Sequence, residues 1–485
     1  MLIEKSSQTK NEALFLERKR RNVDSIYRIN RAKDESQSFK NKDELKDIFK
    51  PRVKVKKPEK GLFWRLTGAT IAIVLILGFG FVAKAVKEKT DALKLLKNGK
   101  YIVVFQNNAE LRPTGGFIGS FATVELQDYK IKNINFNTNI YKLDNAYTKT
   151  NIITPPEELK NMNQGRWSLR DANFSPDFSE SAQKIEWFYD KEAGEKVDGV
   201  VAINASVLRD LLKVIGPIQM DQYNTIITYE NFFDELAYKI EKEYFIDPQN
   251  KEENEPKTIL KDMMPMVFSR LESASKTELA KLVYRALEEK QVLFYANDQA
   301  IEKAILAQNW GGEVMETQGD YLQINNANLT GAVPEITNGG GKTAIKIKEN
   351  INYQVENNSG SLVGDLTLTR SHTGSFNWPD GVNINWTRVL VPKGAVLQSA
   401  TLNGSDITDE VKIAEEAGKT SFGIWINTAP ETSNVLNIKY DLPVKPQNYN
   451  LLVQKQPGNL GNDLTVSFSN KVLYNGEFNK DLEIK

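Results

Sequence analysis

The sequence has no cysteine and a single histidine, His372. The first absence removes disulfides, thiolate catalysis and cysteine-based zinc sites together. The second removes any multi-histidine metal centre and argues against a Ser-His-Asp triad. Long hydrophobic runs are also missing, with one exception. Between Arg65 and Lys84 the stretch LTGATIAIVLILGFGFVA carries no charge. A helix of that length, at about 1.5 Å per residue, covers roughly 27 Å, close to the hydrocarbon thickness of a bilayer.

Phe63 and Trp64 stand where an interfacial aromatic belt belongs. The expectation is a single membrane span, Leu66 to Ala83, inside a signal anchor over 61–86. The basic stretch PRVKVKKPEK lies immediately before it, and positive charge stays in the cytoplasm. The N-terminus is therefore expected inside, and the C-terminal bulk outside, at the cell membrane. Ala83-Lys84-Ala85 has the small-x-small form of a cleavage site, but the leader before the apolar run is too long for a cleavable signal.

A formal net charge of zero conceals an asymmetry. Residues 1–60 hold 18 Lys and Arg against 10 Asp and Glu, whereas residues 86–485 hold 43 against 53. The basic tail, 1–60, is expected to be cytoplasmic and partly disordered. The acidic balance of the rest disfavours nucleic acid as a partner.

Beyond residue 97 strand-like runs, YIVVF, FATVEL and IKNINF, alternate with turn signals. SESAQKIEWFYDKEAG and ASVLRDLLKVIG read as helices, the first capped by Ser179 or Ser181 and stopped by Gly194, with VDGVVAIN a buried strand between them. The pattern turns helical over about 228–312, and KQVLFYA reads as a strand returning to the sheet. NGGGKT lacks the upstream glycine of a phosphate-binding loop, because Ile336 stands there, and reads as a boundary. From about 343 alternating runs such as DLTLTR, TRVLVP and FGIWIN imply an immunoglobulin-like β-sandwich. The expected architecture is an α/β domain over 97–330 with a helical insertion, then a β-sandwich over 343–485. His372 reads as a solvated loop residue.

FQNNAELRPTGGFIGSF, LRDANFSPDFSESAQKIEWFY and VDGVVAINASVLRDLLKVIGPI, with the late VLVPKGAVL, YDLP and QKQPG, resemble a bacterial family known as domain of unknown function 4012. The resemblance implies a single-pass protein with an exterior domain and says little about chemistry. GAVPEITNGGGKT departs from the family as a longer lead-in to the sandwich. The order of YKLDNAY and VDGVVAINASVLRDLLKVIGPI is more distantly similar to the LytR-CpsA-Psr family. Those membrane-anchored enzymes transfer glycopolymers from polyprenyl pyrophosphate using Arg and Asp side chains with a divalent metal.

A pyrophosphate site would need guanidinium forks and carboxylates that hold magnesium. Arg112, Arg166 and Arg170 are the candidate anion-binding side chains, with Gly115 and Gly116 admitting backbone amides. Asp171 and Asp177 are the candidate metal ligands, and magnesium is implied only if the transferase reading holds. Against this stands a structural reading in which RPTGG is a tight turn and RDANFSPDF a loop whose Phe174 and Phe178 plug the core. The function expected first is an envelope protein with an extracytoplasmic binding or structural domain. Its partners would be the lipid bilayer and a cell-wall polymer, a lipid-linked glycan or another envelope protein. A LytR-CpsA-Psr-like phosphotransferase or hydrolase is the alternative, so the sequence leaves enzymatic activity open.

Overall fold

A computed structural model describes residues 98–248, 250, 255–447 and 449–485. Every described residue lies in one compact unit. The expected span from Leu66 to Ala83 and the basic tail lie outside the described residues. Among the described residues no helix is long and apolar enough to cross a membrane.

Five strands build the first sheet: β1 (Asn98–Arg112), β2 (Gly115–Gln127), β3 (Lys130–Asn137), β4 (Gly199–Asn204) and β7 (Val292–Ala296). Their order is β3-β2-β1-β4-β7, with β1 and β4 parallel and the other pairs antiparallel. Side chains of β1 alternate between the faces, as a pleated strand requires. Tyr101 and Val103 pack with Val201, Val283, Leu287 and Ile305. Ile102 and Val104 pack with Ile140, Phe178, Ile185 and Phe188. Helices therefore cover both faces. On one lie α1 (Ile140–Thr148) and α2 (Phe178–Ala193). β4 is buried at every position, which is why GVVAIN lacks a polar alternate.

α3 (Ala205–Ile215) follows β4 directly. A small hairpin, β5 (Ile218–Met220) and β6 (Thr225–Ile227), then opens the insertion. Its helices are α4 (Phe232–Tyr238), α5 (Thr258–Ser273) and α6 (Lys276–Glu288), with α7 (Gln299–Leu306) after the returning strand β7. The insertion has a core including Leu212, Ile218, Phe232, Met263 and Phe268. That core is shared with α3, and α6 also packs on the sheet through Val283 and Leu287.

Two further sheets form the sandwich. The strands are β8 (Asp320–Asn328), β9 (Ile347–Asn358), β10 (Ser361–His372), β11 (Asn383–Pro392), β12 (Val396–Leu402), β13 (Ser405–Asp406), β14 (Lys412–Glu416), β15 (Lys419–Thr428), β16 (Ser433–Leu442), β17 (Leu451–Val453), β18 (Asn462–Phe468), β19 (Lys471–Phe478) and β20 (Leu482–Ile484). One sheet runs β13-β12-β16-β10-β9-β18-β19 and the other β14-β15-β11-β8-β17-β20. Leu322, Tyr353, Leu366, Val389, Phe422 and Ile438 meet in the core between them.

β8 sits upstream of residue 343, yet it lies between β11 and β17 in the second sheet. All of its residues are buried, because the α/β part covers the sheet's outer face. There Phe174, Ala327, Leu329 and Trp386 form a shared apolar cluster. His372 is not solvated. It closes β10 at 3% exposure, accepts the Gly374 amide at Nδ1 (3.0 Å) and donates from Nε2 to the Gly381 carbonyl at 2.9 Å. Burial holds its pKa below the usual imidazole value, and both ring nitrogens are used.

Candidate functional site

The hairpin turn between β1 and β2 is a joint between the sheet and the sandwich. β1 bulges between Asn107 and Leu111, which swings Arg112 beneath the turn. The Arg112 guanidinium is 1% exposed. It reaches Asp171 through Nε and Nη2 (3.3 and 3.2 Å), Glu110 (3.0 Å), and the carbonyls of Leu111 and Asn328 (3.3 and 2.6 Å). All five of its donors are occupied. The sandwich grips the same turn from the other side. Gln456 donates to the Arg112 and Asn326 carbonyls (3.0 and 2.7 Å), and Asn325 to the Pro113 carbonyl (3.0 Å).

Gly115 and Gly116 serve close approach at this turn. A Cβ on Gly116 would overlap the Asn107 carbonyl group, and one on Gly115, whose φ is +137°, would overlap the Gln106 side chain. The Gly116 amide donates to Gln106 Oε1 and its carbonyl accepts from Asn173, at 3.2 and 2.9 Å. These peptide groups are therefore spent inside the joint.

The other candidates go separate ways. Arg170 pairs with Asp144 at 2.7 Å, donates to Asn145 at 3.2 Å and lies over the Tyr141 ring at 4.7 Å. Asp144 is fully buried and hydrogen-bonds the Glu192 carboxyl. Burial, then the Asp144 charge, pushes Glu192 up to about 9, so the two carboxyls share one proton beside Arg170. Asp177 caps α2, accepting the Ser179, Glu180 and Val314 amides at 2.8, 3.2 and 2.9 Å. It takes the place expected for Ser179 or Ser181, because its carboxylate satisfies three amides at once. Arg166 is half-buried on a short turn and makes no ion pair among the described residues. The structure thus joins Arg112 to Asp171 and brings neither to Asp177. Among the described residues no group of three or more acidic or histidine side chains is arranged to hold a metal.

A cavity of about 640 Å³ opens instead between the sheet and the insertion. Phe105, Leu208, Leu211, Phe233, Met264 and Phe268 supply apolar wall. Phe105 and Phe136 stack along one side, ring centroids 6.1 Å apart. Glu110, Tyr141, Glu241, Lys257 and Lys342 supply its charged and phenolic lining. Lys257 donates to the Gly119 carbonyl and lies 6.0 Å from the Tyr141 ring, while Lys342 pairs with Glu241. Burial, then the nearby charge of Lys342, brings Lys257 down to about 8. Burial also acts to lower Lys342, but Glu110 and Glu241 outweigh it and hold it above the usual value.

Residues 97–240 match a family model described as "Protein of unknown function (DUF4012)", which bears out the family resemblance across that segment. The match takes in the turn, the Arg112–Asp171 joint and α3, and stops before Lys257, Lys342 and the sandwich. No curated protein matches the chain. Among solved structures, a Legionella pneumophila protein described as a nutrient binding protein is similar over 25% of this chain and 50% of its own, at 12% identity and a TM-score of 0.19. An M1 zinc metallopeptidase from Deinococcus radiodurans is similar over 25% and 32%, at 18% identity and 0.15. Yeast LTA4 hydrolase in complex with Bestatin is similar over 26% and 23%, at 10% identity and 0.17. The chain spans half or less of the length of each, and likeness at such scores carries no argument.

Sequence reasoning missed Lys257 and Lys342 altogether. Each stands among ordinary polar residues, and their meeting depends on how the insertion folds back over the sheet. The apolar surplus of the insertion was the one available signal. Phe232 and Phe233 are adjacent, and both pack into the insertion core and border the cavity.

Proposed function

We propose that the protein is a membrane-anchored envelope protein whose extracytoplasmic α/β domain holds the apolar chain of a lipid-like ligand. The cavity carries this reading. Protein interiors are close-packed, and ligand pockets of roughly 300–1,000 Å³ are mostly apolar with a few placed polar groups. The space between the sheet and the insertion has that size and that lining. Membrane anchoring is supported by the charge-free run from Leu66 to Ala83 and the basic stretch before it. In this reading the sandwich is a surface for a cell-wall polymer or another envelope protein.

The same cavity favours a second reading, a LytR-CpsA-Psr-like transferase or hydrolase acting on polyprenyl-pyrophosphate-linked glycopolymers. Such substrates also carry a long apolar chain. It needs reactive groups at the chain's head, and the candidates are engaged within the fold, Arg112 with Asp171, Arg170 with Asp144 and Asp177 with backbone amides. Binding therefore comes first.

The test is a titration of the full chain with an environment-sensitive fluorescent alkyl probe, beside two cavity-filling variants at partly buried lining positions, Leu208→Trp and Ile134→Trp. Both should keep the parent melting temperature within a few degrees and weaken the probe by roughly tenfold or more, the effect of about 1.4 kcal/mol. Unchanged affinity in both variants would sink the reading. Orientation is tested separately, by adding protease to wall-stripped cells. Digestion of the large domain is expected, and a full-length chain that survives until lysis would contradict it.

A further inference from the structure

We propose that Lys257 and Lys342 hold the anionic head, a phosphate or a carboxylate, of the ligand whose chain fills the cavity. The proposal rests on the cavity reading and adds the chemistry of the head. Three observations converge on it.

The first is the place of Lys257. It is the N-cap residue of α5, a helix of 16 residues with no side-chain cap and no acidic residue in its first turn. Carboxylates are favoured at that end of a helix, and a cation there faces the positive end of the macrodipole. Lys261, one turn further on, borders the same cavity. The local charge is therefore the opposite of what an isolated helix start selects, and suits an incoming anion.

The second is a notch cut for the amine. Lys257 Nζ rests on Gly119, donating to its carbonyl, and a Cβ at position 119 would meet the amine at 2.5 Å. Gly119 has no φ in the left-handed region that would itself demand glycine. The room it leaves is room for the lysine.

The third is how the acidic groups of the cavity are occupied. Glu110 accepts from Arg112, Glu241 from Lys342, and Glu255 from Thr138 Oγ1 at 3.1 Å. Lys257 makes no ion pair among the described residues; burial and then the charge of Lys342 act to lower it, against a smaller opposing effect of Glu110 and Glu241. An anion placed between the two amines would relieve that repulsion and accept from both. The Tyr141 hydroxyl, which lines the same cavity, is a further donor. Arg112 has no donor left for such a head, so the two amines and not that guanidinium would hold it.

The experiment titrates the full chain, held in nanodiscs, with decyl phosphate, decanoate, decanol and decyltrimethylammonium, subtracting partition into empty nanodiscs. The two anions should bind at least roughly tenfold more tightly than decanol, and the cation most weakly. Lys257→Met and Lys342→Gln should bring the anions to the level of decanol while decanol affinity stays put, with melts confirming that each variant folds. The ranking of phosphate against carboxylate identifies the head. Decanol binding as tightly as the anions to the parent chain would overturn the proposal and leave the cavity reading standing. So would an anion preference retained in both variants. Failure of all four ligands to bind would overturn both.

Discussion

The Arg112 guanidinium lies 3.2 Å from the Asp171 carboxylate, with side chains 1% and 9% exposed, at the point where the α/β sheet meets the sandwich. Breaking a buried pair leaves an uncompensated charge, at a cost of about 3–5 kcal/mol. Arg112→Ala and Asp171→Ala should each lower the melting temperature of the full chain markedly. Arg112→Lys should not rescue it, because an ammonium cannot serve Asp171, Glu110 and two carbonyls from one planar fork. A melt unchanged in either alanine variant would show that the pair is not what holds the joint.

The turn beneath that pair should be equally intolerant of a single methyl group. Gly116→Ala puts a Cβ into the backbone of Asn107, which cannot retreat without breaking the bulge that positions Arg112. Destabilisation of several kcal/mol is expected, on the order of the largest single-residue effects. Gly194→Ala, at an αL helix end with nothing within 4 Å, should be milder. Chemical denaturation of the two variants side by side measures the contrast.

Much of this was open to sequence reasoning, and the division is physical. Period-2 and period-3.6 patterns depend on near neighbours, so the strands from Tyr101, Phe121 and Ile131 and the helices around Ile185 and Leu211 were legible. Phe174 and Phe178 could be named as core plugs because aromatic residues in a turn-rich loop have few other uses. β8 was missed because DYLQINNAN is rich in asparagine, and a strand buried on both faces, with Leu322 and Ile324 in the sandwich core and Asn325 and Asn326 in polar contacts, shows no clean apolar alternation. Arg112 and Asp171 were singled out together, but charge alone does not say whether two such groups face a ligand or each other. Lys257 and Lys342 lie far apart in the chain and meet through the fold.

β8 sets an expectation for truncation. A fragment beginning at Lys342 lacks the strand between β11 and β17 and exposes two unpaired edges. It should aggregate or melt without cooperativity. Circular dichroism of the fragments beginning at 342 and at 315 makes the comparison. A sharp melt of the shorter fragment would show that the sheet closes without β8.

The carboxyl pair beside Arg170 should make stability depend on pH. Glu192 is raised from an ordinary 4.5 to about 9, so the folded chain keeps a proton that the unfolded chain releases. That contribution is full below about pH 4.5 and is lost as pH rises through about 9. Between these limits the contribution of this pair to the melting temperature should fall with rising pH. Glu192→Gln, which keeps the hydrogen bond without the titration, should flatten the slope and gain most at pH 8. A parallel pH profile for the variant and the parent would mean that the proton lies elsewhere.

The claim that the space between sheet and insertion holds an apolar chain is met most directly by photolabelling. The full chain is irradiated with a decyl phosphate carrying a diazirine near its methyl end, and the labelled peptides are identified by mass spectrometry. Labels should concentrate on the Val207–Leu211 and Leu260–Phe268 segments, whose Leu208, Leu211, Met264 and Phe268 line the cavity. They should disappear with excess unlabelled decyl phosphate and in Leu208→Trp. Labels scattered over exposed positions such as Ile152 and Ile413, indifferent to competitor and variant, would contradict the account.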